Sequence, residues 1–116
     1  MSEKQLYLYK IEPKRPEMLT VGMTPEEEAI MGEHFLYLKE QTQNGTIFLA
    51  GPSFRGDGSG FGITIFEAAS DDAAEAFMNG DPAVHKGILN AEWLHFRLSL
   101  LGEVDKAHVI HKLDDE

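Results

Sequence analysis

Residues 24–52 read TPEEEAIMGEHFLYLKEQTQNGTIFLAGP, and the rest of the chain can be placed around them. Thr24-Pro25-Glu26-Glu27-Glu28 combines a hydroxyl N-cap, proline at the first helical position and acids at the positive end of the helix dipole. Thr24 and Glu27 also stand at capping-box spacing. The apolar period predicts a helix to about Gln43, and Asn44-Gly45 can close it in the left-handed conformation. Its inward stripe is Ile30, Met31, His34, Phe35, Leu38 and Tyr37. Gly32 inside it costs about 1 kcal/mol relative to alanine and points to close packing or ligand approach. His34 is four residues after Ile30 and four before Leu38, which puts an imidazole on a face that should be buried. It is either a satisfied core group or a chemical one. Thr46 to Ala50 then reads as a strand, ended by the Gly51-Pro52-Ser53 bend.

Upstream, Leu6, Tyr7, Leu8, Tyr9 and Ile11 make Gln5 to Ile11 a strand with apolar residues on both faces. Two prolines in Glu12-Pro13-Lys14-Arg15-Pro16 break it into a loop running to Met23. Downstream, Arg55-Gly56-Asp57-Gly58-Ser59-Gly60 is a long, mobile hairpin tip leading into a third strand, Phe61 to Ala68. These glycines lack the GK[ST] and the following helix of a phosphate loop. Ser70 caps a second helix, Asp71 to about Asn79, ended by Gly80; Asp81-Pro82 opens a short helical turn that stops near Gly87. Leu89 to Leu100 is the last strand, with Leu94, Phe96 and Leu98 on one face and Trp93, His95 and Arg97 on the other. The order strand, helix, strand, strand, helix, strand is that of an α+β, ferredoxin-like βαββαβ fold with an antiparallel four-stranded sheet. Two helices would cover one face. The other, assigned Trp93 and the aromatics of the first strand, then needs a second sheet packed on it, which predicts a homodimer.

A chain of 116 residues fits one domain, 1–116, with a core of about 5–100 and a tail from 101 to 116. Twenty acidic against ten basic side chains give a net charge of -10, which disfavours nucleic acid and anionic membrane surfaces as partners. The absence of cysteine removes disulfides, thiolate metal sites and cysteine nucleophiles. Met1 to Gln5 lacks a signal peptide's basic flank, and no apolar run approaches about 18 residues, so a cytoplasmic location is expected.

Four stretches resemble the YCII-related family: Glu33-His34-Phe35, Ala50-Gly51-Pro52, Phe61-Gly62-Ile63, and Gly80-Asp81-Pro82-Ala83-Val84 with Gly87. They run in the family's order from about Leu6 to Leu98. The resemblance implies a dimeric α/β barrel built on the ferredoxin-like unit, and a site formed by a histidine of the first helix and the aspartate of the Asp-Pro pair, here His34 and Asp81. It also implies isomerase or dehydrochlorinase-like lyase chemistry on a cyclic or conjugated small molecule.

A histidine gives or takes a proton near neutral pH, and an aspartate on one ring nitrogen fixes the tautomer at the other. His34 is the candidate acid/base and Asp81 its orienting partner, against a reading in which His34 bonds a core carbonyl and Asp81 caps a turn. Ser53 and Arg55, beyond the Gly51-Pro52 bend, and Tyr9 of the first strand are candidate substrate-binding residues. Arginine forks around carboxylates, though a solvated hairpin tip explains Arg55 equally well. His85, four residues after Asp81, and the tail pair His108 and His111 supply too few ligands for a metal, so no metal is expected, and no cofactor motif occurs. His95 is assigned to an interface. No G-x-S-x-G elbow supports a serine nucleophile. The competing class is a non-catalytic dimer that binds a small ligand or accompanies another protein.

Overall fold

The computed structural model describes residues 4–110. The elements are β1 (Gln5–Pro13), α1 (Glu17–Thr20), α2 (Pro25–Gln43), β2 (Ile47–Phe54), β3 (Gly60–Ala68), α3 (Asp71–Asn79), α4 (Pro82–His85), β4 (Leu89–His95) and α5 (Lys106–Val109). The strands form one antiparallel sheet in the order β2-β3-β1-β4. This is the ferredoxin-like α+β arrangement, with β1 and β3 in the centre.

Helix α2 begins as its sequence dictates. The Thr24 hydroxyl accepts from the Glu27 amide, and the Glu27 carboxylate accepts from the Thr24 amide. Its buried residues are Glu27, Ile30 and His34, spaced to form one stripe. Phe35, expected on that stripe, lies about 100° round from His34 and is exposed. Gly32 is exposed too, and a Cβ there would meet nothing within 4 Å, so close packing does not account for it.

The sheet buries one face under the helices. Tyr7, Tyr9 and Ile11 of β1 and Phe66 of β3 join Ile30, Ala74, Met78 and Ala83 in the core. The ladder pairs Tyr9 with Trp93 and Tyr7 with His95, and opposite residues in an antiparallel pair share a face. Trp93 and His95 therefore lie on the helix side, which corrects their assignment to the open face. The open face carries Leu6, Leu8, Leu49, Ile63, Ile65 and Leu94 instead. Alternation in β4 continues past its pairing: the strand ends at His95, one further bond joins the Phe96 amide to the Leu6 carbonyl, and Leu98 and Leu100 are exposed.

The connection after β1 holds the one-turn helix α1, whose Met18 is 4% exposed and closes one end of the core. Arg15 fastens this segment to α2 by a forked pair to Glu27 at 2.9 and 2.6 Å and a bond to the Gly22 carbonyl. Strand β2 runs through Gly51 and Pro52 to Phe54, which an edge strand permits because one side of its backbone has no strand to pair with. The hairpin tip is a compact turn: the Arg55 amide bonds the Ser59 carbonyl, and the Asp57 carboxylate accepts from the Ser59 amide and hydroxyl. No helix among the described residues is long and apolar enough to cross a membrane. His111 and the acidic end, residues 114–116, lie outside the described residues.

Candidate functional site

Asp81 owes its position to two local signals. Gly80 ends α3, and Asp81 caps α4 with Pro82 at the first helical position, its Oδ1 accepting from the Ala83 amide at 3.0 Å. A Cβ at Gly80 would meet the Tyr37 hydroxyl at 2.9 Å, so a side chain there would have to push that hydroxyl aside. That hydroxyl donates to the Phe77 carbonyl and ties α2 to α3. The cap is thereby pressed between α2 and the sheet, and Asp81 has no exposed surface.

Burying a carboxylate requires that its oxygens be bonded. Asp81 meets this with three donors from three elements. Besides the Ala83 amide, the Tyr9 phenol of β1 donates to Oδ2 at 2.8 Å, and Nδ1 of His34 lies 2.8 Å from Oδ1 and 2.7 Å from Oδ2. As a carboxylate, Asp81 only accepts, so Nδ1 carries a proton, and in the neutral ring Nε2 keeps a lone pair. His34 is 7% exposed. Among the described residues Nε2 makes no hydrogen bond, and no buried side-chain nitrogen or oxygen lacks a partner. Of the two ring nitrogens, Nε2 is therefore the one left without a protein partner among the described residues. The arrangement is an imidazole oriented through Nδ1 by a buried carboxylate, with Nε2 free to accept or donate a proton. Outside it, Lys86 pairs with Glu33 at 2.7 Å and bridges α4 to α2 beside the histidine.

The tyrosines around the carboxylate are held protonated. Burial, then the Asp81 charge, pushes the Tyr9 phenol well above its ordinary range. The same two causes raise Tyr37 to about 12.

Of the residues singled out by sequence, His34 and Asp81 meet. Tyr9 also reaches the pair: it has no exposed surface, and its hydroxyl donates to Asp81. Ser53 and Arg55 stand apart at the hairpin tip, where the Ser53 hydroxyl donates to the Phe61 carbonyl and Arg55 reaches Ser59 at 3.4 Å. His85 is exposed at the end of α4. His95 bonds Asp71 of α3 through Nε2 at 2.8 Å, with the Tyr7 phenol donating to the same oxygen at 2.8 Å. Nothing in the sequence singled out that second cluster, although the two-residue step from Tyr9 to Tyr7 on one strand face was a readable signal. A groove of about 660 Å³ beside it is lined by Gln5, Leu6, His95, Phe96, Arg97 and Leu98 and includes neither His34 nor Asp81. Among the described residues no three His, Asp or Glu side chains converge as a metal site.

The YCII-related domain matches residues 6–93. Among solved structures, the chain is similar to 5-chloro-2-hydroxyhydroquinone dehydrochlorinase from Burkholderia phenoliruptrix AC1100, solved with 2,5-dihydroxybenzoquinone. The identity is 22%, the match covers 81% of this chain and 95% of that one, and the TM-score is 0.61. An uncharacterized protein of Thermotoga maritima aligns at 13% identity over 82% of this chain and 100% of its own, with a TM-score of 0.49. No curated protein matched.

Proposed function

The chain belongs to the YCII-related family, and from that premise we propose that it is a small-molecule enzyme in which His34 is the general acid/base and Asp81 orients it. The observation that carries this reading is the division of labour on the imidazole: Nδ1 is bonded to a fully buried carboxylate while Nε2 has no protein partner among the described residues.

Such a pair contributes about 10²–10⁴-fold in rate, enough for isomerisation or elimination on an activated ring or conjugated system. In the proposed cycle Nε2 removes a proton from carbon or a hydroxyl, the imidazolium is stabilised by Asp81, and the proton is returned to the product or leaving group. The solved dehydrochlorinase supplies a first substrate class by its name, halogenated hydroquinones. We also assign a homodimer packed through the open sheet face, where Leu8, Leu49, Ile63 and Leu94 would lose exposed apolar surface.

The test is a turnover screen of halogenated hydroquinones, phenols and lactones. The wild type should turn over at least one class, and His34→Ala should lose about 10²–10⁴-fold. Asp81→Asn should lose activity as well, because its amide offers an N–H to Nδ1 and favours the opposite tautomer. Equal turnover by wild type and His34→Ala would end the acid/base assignment. Light scattering should report twice the 13.0 kDa chain mass; a value at the chain mass would remove the dimer.

A further inference from the structure

We propose that Tyr9 is a positioning residue for the His34–Asp81 pair: its phenol pins Oδ2 of Asp81, and this holds the imidazole with its proton on Nδ1 and its Nε2 free. The use of that orientation rests on the acid/base reading above, but the orientation itself is measurable without a substrate.

Tyr9 is well placed to act as a fixed point. It lies on β1, paired on both sides by β3 and β4, and it is 0% exposed. Its ring meets Phe66 and Phe77 edge-on, with centroids 5.6 and 6.2 Å away, so rotation would displace packed aromatics. The hydroxyl is thus delivered to Asp81 from a central strand of the sheet.

The carboxylate needs such a point. Ala83 holds Oδ1 from the first turn of α4, a four-residue helix, and that bond alone leaves the group free to turn about its own axis. The bond from Tyr9 to Oδ2 fixes the second oxygen from a different element. With both oxygens fixed, the plane of the carboxylate is set and His34 Nδ1 sits across it, within 2.8 Å of each oxygen. Tyr37, the other phenol near Asp81, donates to the Phe77 carbonyl and leaves this task to Tyr9. Glu33 and Lys86, the charged neighbours on α2 and α4, neutralise each other. The elevated Tyr9 phenol remains a donor wherever the imidazole titrates.

The experiment is nitrogen NMR of protein labelled with ¹⁵N-histidine, with His34 identified by its loss in His34→Gln, at a pH of about 8 where ordinary imidazoles are neutral. Wild type should show the Nδ1–H tautomer at His34; an Nε2–H ring would overturn the proposal. In Tyr9→Phe the other tautomer should gain population and the Nδ1 proton should exchange about tenfold faster or more, as expected on loss of a bond to a charged group. Tyr7→Phe, two residues along the same face, should leave both readings at the wild-type values. A folded Tyr9→Phe with an unchanged His34 tautomer and exchange rate would reduce Tyr9 to a packing residue. If Tyr9→Phe does not fold, 3-fluorotyrosine placed at position 9 keeps the shape and donates more strongly. Slower Nδ1 exchange would then support the assignment, and no change would overturn it. A failed turnover screen sinks the enzyme reading and leaves these spectra standing; unchanged spectra leave any difference between wild type and His34→Ala intact.

Discussion

Two Tyr–Asp–His clusters lie two residues apart along β1, and their bond lengths are nearly the same. Tyr9, Asp81 and His34 meet at 2.7–2.8 Å; Tyr7, Asp71 and His95 meet at 2.8 Å. What separates them is water. Asp81 and His34 have side chains 0% and 9% exposed, whereas those of Asp71 and His95 are 55% and 62% exposed. The cause is their place in the chain. Asp81 is the cap of a helical turn pressed under α2, while Asp71 is the first residue of α3, whose cap is Ser70, and it faces out from the rim of the sheet. In the enclosed cluster each charge is weakly screened and every donor is obligatory; in the open one water can replace any partner. Identical distances therefore describe one cluster that can fix a tautomer and another that ties two element ends together.

The sharpest way to break this comparison is to delete each aspartate. Asp81→Ala strands the Tyr9 hydroxyl, the His34 Nδ1 and the Ala83 amide in a dry site, and removing one partner of a buried pair costs about 3–5 kcal/mol. Asp71→Ala exposes its partners to water that can serve them, so its loss should be a small fraction of the first. Urea unfolding of both variants checks this, and comparable losses would mean that burial does not distinguish the clusters.

The Arg15–Glu27 pair is an intermediate case, with side chains 40% and 12% exposed. The Arg15 guanidinium, then the Thr24 amide, hold the Glu27 carboxyl down at about 2. A lowered folded value means stability that is present above the ordinary carboxylate range and is lost as pH falls through the folded value. The difference in Tm between wild type and Glu27→Gln should therefore be full above a pH of about 5 and shrink toward zero near 2. A difference independent of pH would show that the fork contributes through shape and not charge.

Much of this was legible in the sequence because it is written locally. The capping box at Thr24 and Glu27, the Ser70 cap and the Asp81-Pro82 start each need only a few adjacent residues, and each closes as read. The four-stranded order follows from them. His34 and Asp81 are 47 residues apart, and family resemblance, not spacing, paired them. What stayed illegible depends on tertiary choices. Alternation in β4 says that Trp93 and Leu94 face opposite ways but not which way is inward; the ladder register with Tyr9 decides that. The α1 turn escaped notice because Pro16 gives it no side-chain cap and its stability comes from burying Met18. The bond from Tyr9 to Asp81 joins residues 72 apart on two elements, and no local pattern announces it.

The smallest effect concerns the open cluster itself. His95, then Tyr7, hold the Asp71 carboxyl below its ordinary value by hydrogen bonding. Its contribution is present above the ordinary carboxylate pKa, about 4, and disappears as pH falls through the lower folded value. The Tm difference between wild type and Asp71→Asn should follow that course, and it should also fade in about 1 M salt, where the screening length is about 3 Å. The Asp81→Asn difference should resist the same salt, since no ions enter a site with 0% exposure. Equal salt sensitivity in the two variants would mean that solvent reaches both carboxylates, and the distinction between an enclosed tautomer clamp and a surface tie would fall with it.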